Sequence, residues 1–407
     1  MVSSKKADEN TSSNFSYYLG CCYLFFMYVR PQEYIPGASA IPTSGLIFLF
    51  LAIWGWFNFK WEYAKTVIIV IPILGVLFVM SGWGLENVLP LKTGFRYVTQ
   101  EFAQILALCI IFSTQTRVKK LLNLWVIIYF LMSLITVKNG GRGPGHFTGD
   151  ENDAALALAM GVPIVFYSIW EPNISKNKKL FRIGVVGLLF FAIAVTASRG
   201  GFLGAIAVIL CMWWLSKNRI KRAVQAVAMG VALSGVVALV LPAGYFEEME
   251  SINDPEDDTR VERFRLWETG YIMFKHNPIL GVGVGQYPFN AGDYQKLAPW
   301  YDGTGKNYRG KVVHSVYFQI LSETGILGSL MFGFAMLYLP IRLYFVTNFQ
   351  KVLSAEEEFE VNLRRMLIVS MFAYVISGAF IAVAYYPHIA IWLAMYVIFN
   401  KYPKMEK

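Results

Sequence analysis

One arginine of the sequence lies in a turn too short to leave a membrane surface. Arg199 stands within residues 196–201 (TASRGG), between two apolar stretches. A guanidinium at such a place can bind a phosphate-type polyanion with two parallel hydrogen bonds, and the glycines would let that group approach the backbone. The alternative is an interfacial anchor whose side chain snorkels to lipid headgroups.

Three further arginines precede a tryptophan. Arg260, Arg263 and Arg265 follow an acidic run at 247–258, and Trp267 lies one helical turn beyond Arg263. The spacing predicts a short helix over 260–276 that presents cations for the same kind of anion. The alternative is a solvated amphipathic helix whose arginines pair with the acidic run.

A histidine begins the next long apolar stretch. His314 precedes a predicted helix that carries Gln319 and Glu323 into the apolar layer. Polar and ionisable groups in a membrane are costly and usually face a cavity, and a neutral imidazole can take a proton from a hydroxyl. We predict a catalytic role for His314, with Tyr317, Gln319 and Glu323 as support; the alternative is a capping or interfacial histidine.

Other motifs indicate neither a cofactor nor a metal. The alternating glycines of 281–285 (GVGVG) lack the strand, helix and distal acid of a dinucleotide site, and predict a loop packed against membrane helices. No residues have zinc-ligand spacing, and Asp150, Glu151 and Asp153 are too close in sequence to indicate a metal site. We therefore expect no metal and no cofactor.

Membrane helices must position these residues. The 407 residues are 56% hydrophobic and 15% charged, which excludes a soluble globular fold. Apolar stretches that lack the alternation of a β-barrel predict an all-α polytopic protein of about twelve transmembrane helices. The predicted spans are 16–29, 41–57, 66–80, 98–113, 121–136, 154–170, 183–197, 201–216, 223–241, 315–341, 366–385 and 387–400.

The distribution of positive charge predicts the orientation. With both termini in the cytoplasm, 22 of the 36 Lys and Arg residues fall on that side, while the opposite short loops hold six. The six are Arg30, Lys92, Arg96, Lys138, Arg142 and Arg199. The net charge of +9 therefore indicates topology and not nucleic-acid binding.

We predict one membrane domain over 1–407. Its first helix is retained, because no small-residue cleavage site follows the first apolar run. The segment 242–313, between predicted spans nine and ten, forms one long outer loop containing short helices. This loop and the adjoining membrane surface are where we expect the function to reside.

The ordered set of motifs resembles the O-antigen ligase superfamily. The set comprises SRGG at 198–201, R-x-x-x-W from Arg263 to Trp267, NPILGVGVGQY at 277–287, and HS-x-Y-x-x-x-L-x-E-x-G-I-x-G from His314 to Gly328. These motifs lie within 196–328, and the twelve-span layout extends the resemblance along the chain. No single motif is specific, whereas their order is.

The resemblance implies a GT-C-type membrane glycosyltransferase in the bacterial inner membrane with its site facing the periplasm. The donor would be a glycan on undecaprenyl diphosphate, and the acceptor a hydroxyl of lipid A core. By resemblance, Arg199 and an arginine of the long loop bind the diphosphate, with Arg263 the best fit and Arg260 and Arg265 close by. His314 then stands at the catalytic histidine position. Arginines can offset the diphosphate charge, so we expect metal-independent transfer. Because no nucleophile for a covalent sugar intermediate is apparent in the sequence, we also expect inversion at the sugar carbon.

Three alternatives remain open. An O-antigen polymerase or a protein O-oligosaccharyltransferase would use the same donor with another acceptor. A secondary transporter would also have twelve helices, but the two halves show no evident similarity and the candidate residues gather at one surface. Besides donor and acceptor, membrane lipids are the expected partners.

Overall fold

A computed structural model describes residues 2–35, 37, 43–83, 85, 87–216, 258–303, 306–349 and 354–401. Within these ranges the chain is helical and contains no strand. The predicted span 223–241 and nearly all of the acidic run lie outside the described residues. The all-α fold class is therefore confirmed for the part of the chain that can be described.

The described residues before 217 form nine α-helices. They are α1 (Val2–Tyr28), α2 (Thr43–Phe57), α3 (Trp61–Ser81), α4 (Leu89–Arg96), α5 (Phe102–Ile111), α6 (Gln115–Lys138), α7 (Glu151–Ser168), α8 (Lys176–Val195) and α9 (Arg199–Trp214). A π-helical turn, Tyr97–Glu101, joins α4 to α5. The helix predicted at 98–113 thus begins at Leu89, because an amphipathic turn precedes its apolar part.

The described residues after 257 add six α-helices. They are α10 (Asp258–His276), α11 (Tyr287–Tyr294), α12 (Val316–Gly333), α13 (Leu339–Val346), α14 (Ala355–Ser377) and α15 (His388–Lys401). A π-helical turn, Phe334–Tyr338, joins α12 to α13. The helix predicted over 260–276 is confirmed as α10.

Within the ranges that the structure describes, three helices are long and apolar enough to cross a membrane. They are Gln115–Lys138, Val316–Val346 and Ala355–Phe380. Shorter apolar helices are Gly45–Phe57, Val70–Ser81, Arg199–Trp214 and His388–Lys401. Eleven of the predicted spans overlap a helix, while the number of twelve crossings and the GT-C architecture stay predictions.

The helices pack around one apolar core. α14 packs against α7 and α9, α7 also packs against α8, and α10 packs on α12. Trp125, Tyr374 and Trp392 are among the largest fully buried side chains. A smaller apolar cluster under α10 includes Leu266, Met273 and Tyr287. The end of the bundle at which α7, α9 and α12 begin is called the site end below.

The crossing of α3 and α4 gives a test of this packing. A Cβ on Gly94 would lie 2.6 Å from the Gly75 carbonyl oxygen and 2.7 Å from the Val79 nitrogen, both backbone atoms. Gly94→Ala should therefore force the helices apart and cost about 1–3 kcal/mol, lowering the unfolding temperature in detergent. Gly184→Ala in α8 is the control, since its Cβ would meet nothing within 4 Å. Equal unfolding temperatures for both variants would contradict this packing.

Candidate active site

Arg199 is the first residue of α9, where the helix dipole adds to its positive charge. Ser198 caps the helix by accepting a hydrogen bond from the Gly201 N–H at 3.0 Å. Ala197, just before it, has φ of 52°, a left-handed backbone that is uncommon outside glycine. Arg199 is partly exposed at the site end. The turn thus presents a guanidinium beside a helix N-terminus.

The glycines after Arg199 do not serve the purpose that the sequence suggested. A Cβ on Gly200 would lie 3.2 Å from Phe380 Cβ, and one on Gly201 would overlap the Ala155 side chain. Both glycines are buried against the protein itself. The expectation that they let a polyanion approach the backbone is wrong, because they permit α9 to pack closely on α7 and on the residues after α14.

A short turn brings the beginnings of α9 and α12 together. The 3₁₀ turn Gly378–Phe380 follows α14. Phe380 contacts Gly200 of α9, and a Cβ on Gly378 would lie 3.0 Å from Val316 Cγ1 of α12. Arg199 and His314 therefore flank the same turn, although 114 residues separate them in sequence.

His314 lies two residues before α12 in a left-handed conformation, with φ of 50°. Trp267 of α10 donates its indole N–H to the His314 carbonyl at 3.4 Å, and its ring stacks on Phe318 at 5.5 Å. Glu262 pairs with Lys306 and Lys311, at 3.2 Å each, in the segment leading to His314. α10 thus fixes the backbone of His314, and strained non-glycine backbone of this kind clusters at functional sites.

Burial lowers the pKa of His314 below its usual value, and the nearby positive charge of Arg263 lowers it further. The negative charges of Asp150, just before α7, and of Glu262 raise this pKa, while the positive charge of Lys311 lowers it. The imidazole is therefore neutral at neutral pH and can accept a proton. Asp150 is a neighbour of His314 that the sequence did not reveal, since the two lie far apart in the chain.

Among the three loop arginines, Arg263 has the strongest link to His314. The positive charge of Arg263 lowers the pKa of His314, and the Arg263 side chain is partly exposed. Arg265 instead lies over the Trp300 ring, 5.1 Å from its centre, and Arg260 over the Phe264 ring at 5.8 Å. The placement favours Arg263, the residue that the R-x-x-x-W spacing also selected.

The three residues predicted to support His314 hold neighbouring segments in place. The Tyr317 hydroxyl donates to the Val375 carbonyl at 2.6 Å, and Gln319 Oε1 accepts from the Ala384 N–H at 3.0 Å. Glu323, buried in α12, accepts from the Tyr287 N–H at 2.9 Å. Their polar groups thus form hydrogen bonds with backbone groups within the apolar layer. The sequence alone does not distinguish this structural role from a catalytic role.

The glycine-rich loop packs on α12, as predicted. Val282 N–H donates to the Ser322 carbonyl at 2.8 Å, and Gly283 N–H to the Glu323 carbonyl at 3.0 Å. Gly281 has φ of 69°, and a Cβ there would overlap the Glu323 backbone. Glycine is required at this position for both conformation and space.

Glu323 offers a test of this anchoring. Glu323→Ala leaves the buried Tyr287 N–H unpaired, a change that should cost about 1–3 kcal/mol and loosen the loop. Hydrogen exchange of the peptide containing Tyr287 should accelerate. Glu323→Gln is the matched control, because its amide oxygen can still accept this hydrogen bond. Equal protection in both variants would show that Glu323 does not hold the loop.

Two other histidines, His276 and His388, have different surroundings. His276 is exposed at the end of α10, where its Nδ1 lies 2.9 Å from the Ile272 carbonyl. His388 is buried among aromatic rings, including Phe147 at 5.4 Å. Within the described ranges, no three His, Cys, Asp or Glu side chains are placed to hold a metal ion.

The fold and the site together define a helical membrane-protein type with arginines and a histidine gathered at one end of the bundle. Residues 184–333 match the model of a family described as O-antigen ligase. This segment includes Arg199, Arg263 and His314, and the resemblance predicted from the ordered motifs is confirmed over it. The family implies a glycosyl-transferring membrane enzyme. Among curated proteins, none matches the chain.

Proposed function

We propose that this protein is an O-antigen ligase that transfers a glycan from undecaprenyl diphosphate to a hydroxyl of lipid A core. The observation that carries the proposal is the placement of Arg199 and His314 on two sides of the turn Gly378–Phe380, with Arg263 beside His314. A lipid diphosphate enters sideways from the bilayer, and a site at helix ends suits such a substrate.

The proposed reaction is direct displacement at the sugar carbon C1. His314 takes the proton from the acceptor hydroxyl as the oxygen forms its bond to C1. The bond from C1 to the phosphate oxygen breaks, and its electron pair leaves with the diphosphate. Attack from the opposite face inverts the anomeric centre, so retained configuration in the product would refute this step.

The arginines stabilise the leaving group. Arg199 and Arg263 would hold the diphosphate oxygens with charge-assisted hydrogen bonds and offset the negative charge that develops as the bond breaks. Many soluble transferases use a divalent cation for this purpose. Because the two arginines would offset this charge, we propose that transfer proceeds without a divalent cation. The site would face the periplasm, with the chain in the bacterial inner membrane and both termini cytoplasmic.

A reconstituted transfer assay tests the proposal. Purified protein in detergent is supplied with an undecaprenyl diphosphate glycan and lipid A core, with and without EDTA, and products are resolved on a gel. Conjugation to lipid A core in EDTA supports the ligase. Longer lipid-linked glycan without acceptor labelling would instead identify a polymerase, and labelled protein an O-oligosaccharyltransferase. No donor turnover with any acceptor would overturn the glycosyltransferase reading.

A further inference from the structure

A chain of side-chain hydrogen bonds joins the start of α7 to the turn that carries Arg199. Asn152, the second residue of α7, donates from Nδ2 to Asp150 Oδ1 at 3.0 Å. Its Oδ1 accepts from the Ser198 hydroxyl at 2.7 Å. Ser198 Oγ in turn accepts from the Gly201 N–H. The Asn152 amide thus acts as donor on one side and acceptor on the other, which a carboxylate or an aliphatic group cannot do.

The turn that carries Arg199 needs an anchor outside itself. Ala197 holds a left-handed backbone, and within the turn Ser198 N–H donates to Thr196 Oγ1 at 3.2 Å. Such a conformation persists only where surrounding contacts over-determine it. Asn152 supplies a contact from another helix, and it does so at the residue immediately before Arg199.

The other end of the chain of hydrogen bonds reaches toward His314. Asp150 caps α7 by accepting from the Asn152 N–H at 2.9 Å, and its charge acts on the imidazole of His314. Close packing of Gly201 on Ala155 fixes the distance between α7 and α9. Asn152 therefore lies between the group that influences the histidine and the turn that holds the arginine.

We propose that Asn152 is a positioning residue that holds Arg199 in register with His314 for a substrate carrying a diphosphate. This inference rests on the proposed function, because a misplaced arginine matters only where it binds the donor. Asn152 contacts Ser198 and Asp150, and it acts on the substrate through them. The sequence motifs contain no indication of this role.

Asn152→Leu keeps the number of side-chain heavy atoms and the branch at Cγ, and it removes both hydrogen bonds. We expect kcat/KM for the lipid diphosphate donor to fall about 10- to 100-fold, mainly through a higher KM, since a 1 Å misplacement can cost this much. Ser198→Ala should give a similar loss and Ser198→Thr should restore activity. The double variant should lose less than the product of the two single losses, because both substitutions remove the hydrogen bond between Asn152 and Ser198.

The matched controls are Asn139→Leu and Ser216→Ala. Asn139 is exposed at the end of α6, and the Ser216 hydroxyl bonds the Trp213 carbonyl of the preceding helical turn. Both variants should retain wild-type kinetics. If Asn152→Leu matches them, or loses activity only in proportion to folded protein, the positioning role is refuted.

Hydrogen exchange separates this inference from the proposed function. The peptide containing Arg199 to Gly201 should exchange faster in Asn152→Leu than in wild type or Asn139→Leu, whether or not donor is turned over. Unchanged exchange would overturn the positioning role. If Asn152→Leu shows the faster exchange but wild-type protein never turns over the donor, the proposed function is refuted. Asn152 then has a purely structural role, which also overturns the inference.

Discussion

His314→Ala should lower kcat for glycan transfer by about 10²- to 10⁴-fold, the usual contribution of a general base. Alanine cannot take the proton from the acceptor hydroxyl, while Trp267 can still donate to the backbone carbonyl of residue 314. The helix start should therefore survive, and the loss should fall on kcat. Single-turnover transfer with saturating donor and acceptor measures it.

His276→Ala is the control for this substitution. It removes an exposed imidazole of the same predicted outer loop, at the far end of α10. Wild-type rates are expected for it. A wild-type rate for His314→Ala would show that this histidine is a capping or interfacial residue, the alternative that its position in the sequence left open.

The pH dependence follows from the groups around His314. Its neutral form is the base, and burial and Arg263 lower its pKa, so activity should rise with pH through a value below 6.5. Arg263→Gln removes a lowering charge and should move this limb to higher pH. Asp150→Asn removes a raising charge and should move it to lower pH. If both substitutions moved the pH limb in the same direction, Arg263 and Asp150 would not have the opposite effects on the pKa of His314 that are assigned to them.

The helical fold was predictable because its signal is local. An apolar stretch of about 20 residues without polar breaks indicates a membrane helix whatever it packs against. α6 and α14 were found in this way. The start of α4 at Leu89 was missed, because its lysine and arginine interrupt the apolar run while its buried face packs on α3.

The site was only partly predictable because polar groups in an apolar layer have two uses. Arg199, Arg263 and His314 were selected by residue type and spacing, and the structure brings them to one end of the bundle. Glu323 and Gln319 looked equally functional, yet they bind backbone N–H groups of distant segments. The hydrogen-bond partner of a buried carboxylate depends on tertiary contacts, and the spacing of residues in the sequence does not reveal these contacts.

Asn152 is a residue whose role in the site could not be predicted from the sequence. An asparagine in the first turn of a helix is common, and nothing in its sequence surroundings points to residue 198. Its role arises because Gly201 lets α9 approach α7 closely enough for a side-chain hydrogen bond. The glycines of TASRGG were thus informative, but about helix packing and not about the ligand.

Arg199→Ala should lower kcat/KM for the lipid diphosphate donor by about 10²- to 10³-fold, similar to the loss of one preorganised donor to a developing negative charge. Arg199→Lys should recover only part of this, because an ammonium keeps the charge and lacks the planar fork that binds two phosphate oxygens. Initial rates across a range of donor concentrations separate KM from kcat.

The pair of substitutions also distinguishes the two readings of this arginine. Lysine snorkels to headgroups as readily as arginine does, so an interfacial anchor would tolerate Arg199→Lys with wild-type kinetics. A diphosphate ligand would not, and its loss should appear in the donor KM while the acceptor KM and the unfolding temperature stay constant. Arg309→Ala, at an exposed position of the predicted outer loop, controls for the loss of one positive charge. The ratio of kcat/KM for the donor between Arg199→Lys and Arg199→Ala therefore distinguishes a diphosphate ligand from a lipid headgroup anchor.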